Sequence, residues 1–180
     1  MTKKRKTNSV TNLKSALIDL LLEMEYSKIT IGNITQRANV SRGTFYQHFL
    51  DKDDLAYSIG TETMQRFWEI LAQGNLDKED MLLKALLLIK NDYKHFKAIS
   101  KAPHVQFKDK VQQLICDLIN NNPDIREKIK KKTKISDEIV IKAFSTSFET
   151  IISSWIDNDL SESPEKVVDN IIKIEQLFWK

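Results

Sequence analysis

The sequence predicts an all-α protein of about nine helices, with a small N-terminal helical unit followed by a larger helical domain. Two observations carry this. Only four glycines and three prolines punctuate 180 residues. The apolar residues recur at i, i+3, i+4 and i+7, the period of a helix face, and not at the alternating period of a strand.

Composition narrows the class. A single cysteine, Cys116, excludes an intramolecular disulfide and suits a reducing cytoplasm. No apolar run follows the basic start, so no signal peptide is expected. The most apolar stretch, 81–89, is interrupted by Lys84 and is too short to span a bilayer, so no membrane partner is expected. The formal net charge is +3, and its distribution is uneven. Residues 1–50 hold eight basic and three acidic side chains, whereas residues 56–180 are balanced. A basic end on a neutral chain fits contact with phosphate, or a solvated tail.

The elements follow in order. Residues 1–9, with Lys3, Lys4, Arg5 and Lys6, read as a flexible basic arm. Leu13, Ala16, Leu17, Leu20, Leu21 and Met24 share one stripe of a first helix, which ends near Tyr26. Thr30 is placed to cap a short second helix, in which Ile34 and Ala38 share a face. Asn39 supplies the left-handed residue of a tight turn. Ser41 is placed to cap a third helix with Phe45 and Phe49 inward. Inner residues at 34, 38, 40, 45 and 49 have the spacing of a helix-turn-helix, whose second helix leaves one face free for a major groove.

Those residues resemble a known family. Ile29-Thr30-Ile31, Ile34-Thr35, Ala38-Asn39-Val40-Ser41, Gly43-Thr44-Phe45-Tyr46 and His48-Phe49, then Asp51-Lys52 and Leu55, are similar to the N-terminal domain of the TetR family of bacterial regulators. Three positions depart from the family's usual residues: Glu25, Thr35 and Asn39. The resemblance implies a DNA-binding domain over residues 1–52 and a ligand-sensing and dimerisation domain over 53–180. It implies a transcriptional regulator and no enzyme. The regulator, a repressor on this reading, would bind a palindromic double-stranded operator as a homodimer and respond to a small-molecule effector. An activator, or a ligand-independent architectural or adaptor protein of the same fold, remains the alternative.

Roles divide along the motif. Arg42 suits a guanine edge or a phosphate, and Gly43 lets a DNA backbone come close. Thr44 offers a hydroxyl and a methyl, and Gln47 an amide suited to adenine. The resemblance assigns Tyr46 to phosphate. Lys52, at the start of the next helix, adds a charge beside free N–H groups. His48 reaches phosphate if it faces out, and otherwise packs inward. Thr30 and Ser41 are contacts or caps only.

Beyond Leu55 the pattern continues. A long helix carries Ile59, Phe67, Trp68 and Leu71 and breaks near Gly74-Asn75. A central helix spans 77–100, and another starts at Pro103 with Phe107, Val111, Leu114 and Leu118 inward. A short basic helix containing Lys128 to Lys134 is read as a solvated face. Ser136 opens a long helix and Ser163-Pro164 opens the last one. By resemblance, Phe67, Trp68, Tyr93, Phe96, Phe107 and Phe148 are candidates to line a ligand pocket, or are ordinary core. The last two helices are unusually apolar. Phe148, Ile152, Trp155, Val168, Ile171, Ile172 and Phe178 are the candidates for a dimer interface. No phosphate-binding loop, nucleophile elbow or metal-ligand spacing occurs, so no cofactor and no metal are expected.

Overall fold

The computed structural model describes residues 2–71, 78–123, 126, 127 and 135–179. Among them there are nine α-helices and no strand. The helices are α1 (Thr2–Glu23), α2 (Ile31–Arg37), α3 (Arg42–Tyr46), α4 (Lys52–Leu71) and α5 (Lys78–Asn91), then α6 (Tyr93–Ser100), α7 (Phe107–Asn120), α8 (Asp137–Asp157) and α9 (Pro164–Trp179). Two 3-10 turns, Tyr26–Lys28 and Pro103–Val105, join α1 to α2 and α6 to α7.

The chain forms two compact units that do not follow sequence order. One combines residues 1–65 with 92–107, and the other combines 66–91 with 108–180. The boundary expected at 52/53 therefore falls at the first residue of α4. Motif spacing could not show that α6 returns to pack on α1.

In the first unit, α1 lays its stripe inward. Leu13, Ala16, Leu17, Leu20 and Leu21 are buried, while Met24, the last expected member, is exposed as the helix ends. The backbone is helical from Thr2, through most of the stretch expected as an arm. No glycine or proline interrupts residues 2–23, so the helix has no local reason to stop. Against α1 pack α2 and α6, the latter through Phe96, Ala98 and Ile99.

The turn between α2 and α3 is fixed by backbone geometry. Asn39 is left-handed, with φ of 52°. Its N–H donates to Gln36 O at 3.2 Å, and the Val40 N–H donates to Thr35 O at 3.0 Å. This pair of bonds is a Schellman motif, which satisfies the carbonyls left open at the end of α2. Ser41 then restarts the helix by accepting from the Thr44 N–H at 3.0 Å.

In the second unit, α9 packs on α5 and on α8. Leu86 and Ile89 of α5, Phe144, Ile152, Trp155 and Ile156 of α8, and Val167, Val168 and Ile171 of α9 are buried. Ser136 caps α8, accepting from the Ile139 N–H at 3.4 Å, and Ser163 accepts from the Lys166 N–H at 3.3 Å beside Pro164. Both helix starts stand where the sequence places them. Two middle helices do not. The 77–100 stretch is divided at Asp92, whose φ of −120° and ψ of 37° leave the helical region. Pro103 begins a 3-10 turn, and Gln106, left-handed at φ 54°, ends it before α7 starts at Phe107. The break at Gly74-Asn75 and the basic segment Lys128–Lys134 lie outside the described residues.

Replacing Asn39 by Ala should lower stability by about 1 kcal/mol, because a Cβ without a compensating polar group is strained in that conformation. Asn39→Gly should be neutral or stabilising. Urea unfolding midpoints at constant slope measure both, and equal midpoints for Ala and Gly would contradict the account.

Candidate nucleic-acid interface

The helix-turn-helix has a sealed inner side. Ile34, Ala38, Phe45 and Phe49 are buried, and Val40 is half-buried at the turn. Phe45 sits between the rings of Phe49 (centroids 5.9 Å apart) and Tyr46 (5.5 Å, edge to face). This wedge holds α3 in place while its other side stays open.

The outer side presents Arg42, Gly43, Tyr46 and Gln47, all exposed, with Tyr46 58% accessible. Space above Gly43 is empty. A Cβ there would meet only Ser41 Oγ, at 3.6 Å. Among the described residues nothing requires glycine at that position. Arg42 is held differently. A Cβ on Gly32 would lie 3.0 Å from Arg42 Nη2, so the guanidinium lies along the first turn of α2. Gln47 is the C-cap of α3, in helical geometry with φ of −71°, so the helix is shorter than the spacing predicts.

Thr30 and Ser41 serve as caps, and Thr44 is the residue whose N–H Ser41 caps. Asn33 N–H donates to Thr30 Oγ1 at 3.1 Å, and the Thr30 N–H donates back to Asn33 Oδ1 at 2.9 Å. The Thr30 hydroxyl donates to the same oxygen at 2.6 Å. Ser41 and Thr44 share a hydroxyl–hydroxyl bond of 2.9 Å. Their local bonding is therefore already satisfied, as the cap reading requires.

His48 and Lys52 differ from expectation. His48 Nε2 is buried and has no hydrogen-bond partner among the described residues, with the ring 6.4 Å from that of Phe49. That nitrogen points away from solvent, because position 48 lies on the flank of the inner face. Lys52 was expected beside free N–H groups at the start of α4. Its ammonium instead donates to Tyr26 O at 2.9 Å and Ile29 O at 2.8 Å, and lies 4.4 Å from the centre of the Tyr26 ring. One N–H remains for an outside partner. The α4 N-terminus is also occupied: Asp51 Oδ1 accepts from the N–H groups of Asp53 (2.9 Å) and Asp54 (2.8 Å).

Sequence reasoning did not single out Tyr26. Its hydroxyl donates to Asp53 Oδ1 at 2.5 Å, and its ring packs on His104 with centroids 5.5 Å apart. Burial, and then the bond to Asp53, pushes the phenol well above its usual range. Arg37 is likewise engaged within the unit, by a two-pronged pair with Glu23 at 2.8 and 2.6 Å that joins α2 to α1. The bond from Arg37 holds the Glu23 carboxyl below the ordinary carboxylate range.

The other candidates separate by unit. Tyr93, Phe96 and Phe107 fall in the first unit, and Phe67, Trp68 and Phe148 in the second. Phe96, Phe107 and Phe67 are buried, and Phe96 and Phe107 stack edge to face at 6.0 Å, which is core packing. None of the six lines the three open clefts described among these residues. Of the expected interface residues, Ile152, Trp155, Val168 and Ile171 are buried within the single chain, and Phe148 and Ile172 are half-buried. The first four are covered because α8 and α9 pack on each other. Phe178's side chain lies outside the described residues. Among the described residues no group of three His, Cys, Asp or Glu side chains is placed to hold a metal, and no helix is long and apolar enough to cross a membrane.

Two short helices locked by an apolar wedge, with one face of the second left bare, define a helix-turn-helix protein. Comparison with known proteins agrees. The profile described as "Bacterial regulatory proteins, tetR family" matches residues 15–59, and that described as "Transcriptional regulator C-terminal region" matches residues 77–176, more than half of the chain. The chain belongs to the TetR family of bacterial transcriptional regulators. It is 27% identical over 131 residues to the fatty acid metabolism regulator protein of Bacillus subtilis, a match covering 73% of this chain and 63% of that one. The chain thus spans less than two thirds of that relative's length. A TetR transcriptional regulator from Streptococcus agalactiae has the same fold, with a TM-score of 0.68, 20% identity and 95% of each chain covered. The dihydroxyacetone kinase operon activator DhaS also has it, with a TM-score of 0.61, 20% identity and coverage of 95% of this chain and 96% of that one.

Lys52→Met keeps the apolar stem and removes the ammonium from the two carbonyls. It should cost about 1–2 kcal/mol of stability, read as a lower melting temperature. Lys28→Met, at an exposed lysine paired with Glu25 across one turn, is the control and should change little. Equal melting of the two variants would remove the strut role of Lys52.

Proposed function

We propose that this chain is a homodimeric repressor that binds an inverted-repeat operator in the cytoplasm and is released by a small-molecule effector. The observation that carries the DNA-binding part is the bare outer face of α3. Arg42, Gly43, Tyr46 and Gln47 are exposed there, and the space above Gly43 is open. Arg42 and Gln47 carry the side chains suited to guanine and adenine edges, and Tyr46 reaches toward phosphate. Lys52 adds its charge and one N–H, with a smaller share than its sequence position suggests. Thr30, Ser41 and Thr44 shape the helix starts, and His48 supports Phe49.

Pairing is supported by what α8 and α9 leave uncovered. Ile139 and Leu177 are exposed, Ile151 and Ile174 are half-buried, and an open groove of about 440 Å³ runs past Thr150, Ser154 and Asn170. A second copy would cover these groups and set two reading helices on a two-fold site. The similar Bacillus regulator is named for fatty acid metabolism, which makes an acyl chain the first effector to try. The likeness to an operon activator keeps activation as the second reading.

The purified chain should protect a short inverted repeat near its own gene, with affinity falling steeply as salt rises. Sedimentation at micromolar concentration should show a dimer, and a monomer throughout would reject the paired operator. Gly43→Ala gives a sharper test. The methyl has room and favours the helix by roughly 0.5–1 kcal/mol, so melting should stay equal or rise. Operator affinity should fall about tenfold or more because the DNA can no longer approach. Unchanged affinity would sink the close-approach role.

A further inference from the structure

We propose that Gly32 is a positioning residue: its missing side chain seats the guanidinium of Arg42 on the first turn of α2, where it grips a DNA phosphate. The inference rests on the operator-binding reading above and chooses between the two partners that suit Arg42.

The seat is made by what Gly32 lacks. A Cβ there would lie 3.0 Å from Arg42 Nη2, 4.0 Å from Arg42 Cζ and 3.5 Å from Thr30 Oγ1. The backbone at Gly32 is not left-handed, so its conformation does not call for glycine. Within a helix glycine is also the poorer choice for stability. What the residue supplies is space, and the end of Arg42 fills it.

The guanidinium is not drawn there by a carboxylate. Residues 30–50 contain no Asp or Glu. The acids just outside are engaged elsewhere: Glu23 with Arg37, Glu25 with Lys28, Asp53 with Tyr26, and Asp51 and Asp54 with backbone N–H groups. Residues 30–50 hold two arginines and no lysine. Arg37 is paired, whereas exposed Arg42 has no hydrogen bond or ion pair among the described residues. It is a full charge placed by packing and left open to an outside anion.

Its place selects that anion. In a helix-turn-helix the second helix lies in the major groove while the first crosses the DNA backbone. Gly43, Tyr46 and Gln47 stay on α3. The Arg42 side chain starts on α3 and ends on α2, which takes its fork from the groove floor to the backbone. Two phosphate oxygens match two N–H groups of that fork.

The experiment uses the full chain and the operator found by footprinting. Wild type, Gly32→Ala, Arg42→Ala and the double variant are titrated at several salt concentrations. Operators with single guanines replaced by 7-deazaguanine, which lacks the N7 acceptor, form a second set. Gly32→Ala should melt at or above wild type, because the flexible end of Arg42 can move aside and alanine favours the helix. It should bind the operator roughly fivefold more weakly or worse, with a salt slope shallower by about one for each reading unit bound. Arg42→Ala should show the same loss and the same slope, and adding Gly32→Ala to it should change nothing further. Wild-type affinity and slope in Gly32→Ala overturn the seat, as does an equal loss from Gly32→Ala in the Arg42→Ala background. A 7-deazaguanine that weakens wild type but not Arg42→Ala puts the fork on a base and overturns the phosphate assignment. Failure of the wild type to bind any inverted repeat overturns the operator-binding reading and this inference with it.

Discussion

The angle between α2 and α3 is the constraint on which the reading surface depends. It is set at one residue and locked at another. Asn39 turns the chain through the left-handed region while its own N–H and that of Val40 close the end of α2. Phe45, fully buried, then wedges α3 against the rest of the unit. Backbone polar groups are satisfied in the turn and apolar area is buried in the wedge, so moving α3 would cost both. Everything exposed on α3 inherits its position from these two residues.

A second layer ties the motif to its surroundings. Tyr26, in the turn before α2, donates to Asp53 at the start of α4, and Lys52 reaches back to two carbonyls of the same turn. Glu23 and Arg37 do the same between α1 and α2 on the exposed side. These polar contacts are partly solvated, so each adds little alone. Together they tie the turn Tyr26–Lys28 and α2, which have few residues with which to bury apolar surface, to the ends of α1 and α4.

How much of this the sequence revealed depends on the range of the signal. Features set by neighbours along the chain were legible. The caps at Thr30, Ser41 and Ser136, the turn at Asn39 and the inner set around Phe45 follow from side-chain chemistry within four residues. Contacts between distant segments were not. Nothing local marks Lys52 as a partner of Tyr26 O, since a lysine at a helix start reads equally well as a phosphate contact. The break at Asp92 was hidden by the apolar residues on either side of it. Ile152, Trp155 and Val168 look like interface residues in sequence because apolarity does not say which surface covers them; in the chain, α8 and α9 cover them for one another.

The return of α6 to pack on α1 has a consequence for how the protein is made. Residues 92–107 complete the unit that contains the helix-turn-helix, although residues 66–91 intervene and belong to the other unit. During synthesis the N-terminal helices must wait until Ser100, the last residue of α6, has left the ribosome before the apolar side of α1 facing α6 can be covered. The reading motif is local in sequence, but its folding is a long-range event, with the slower loop closure that such separation brings. The two units of this chain are therefore interleaved in time as well as in sequence. The first unit is complete at Phe107, when residues 66–91 of the second have already been made and still await 108–180.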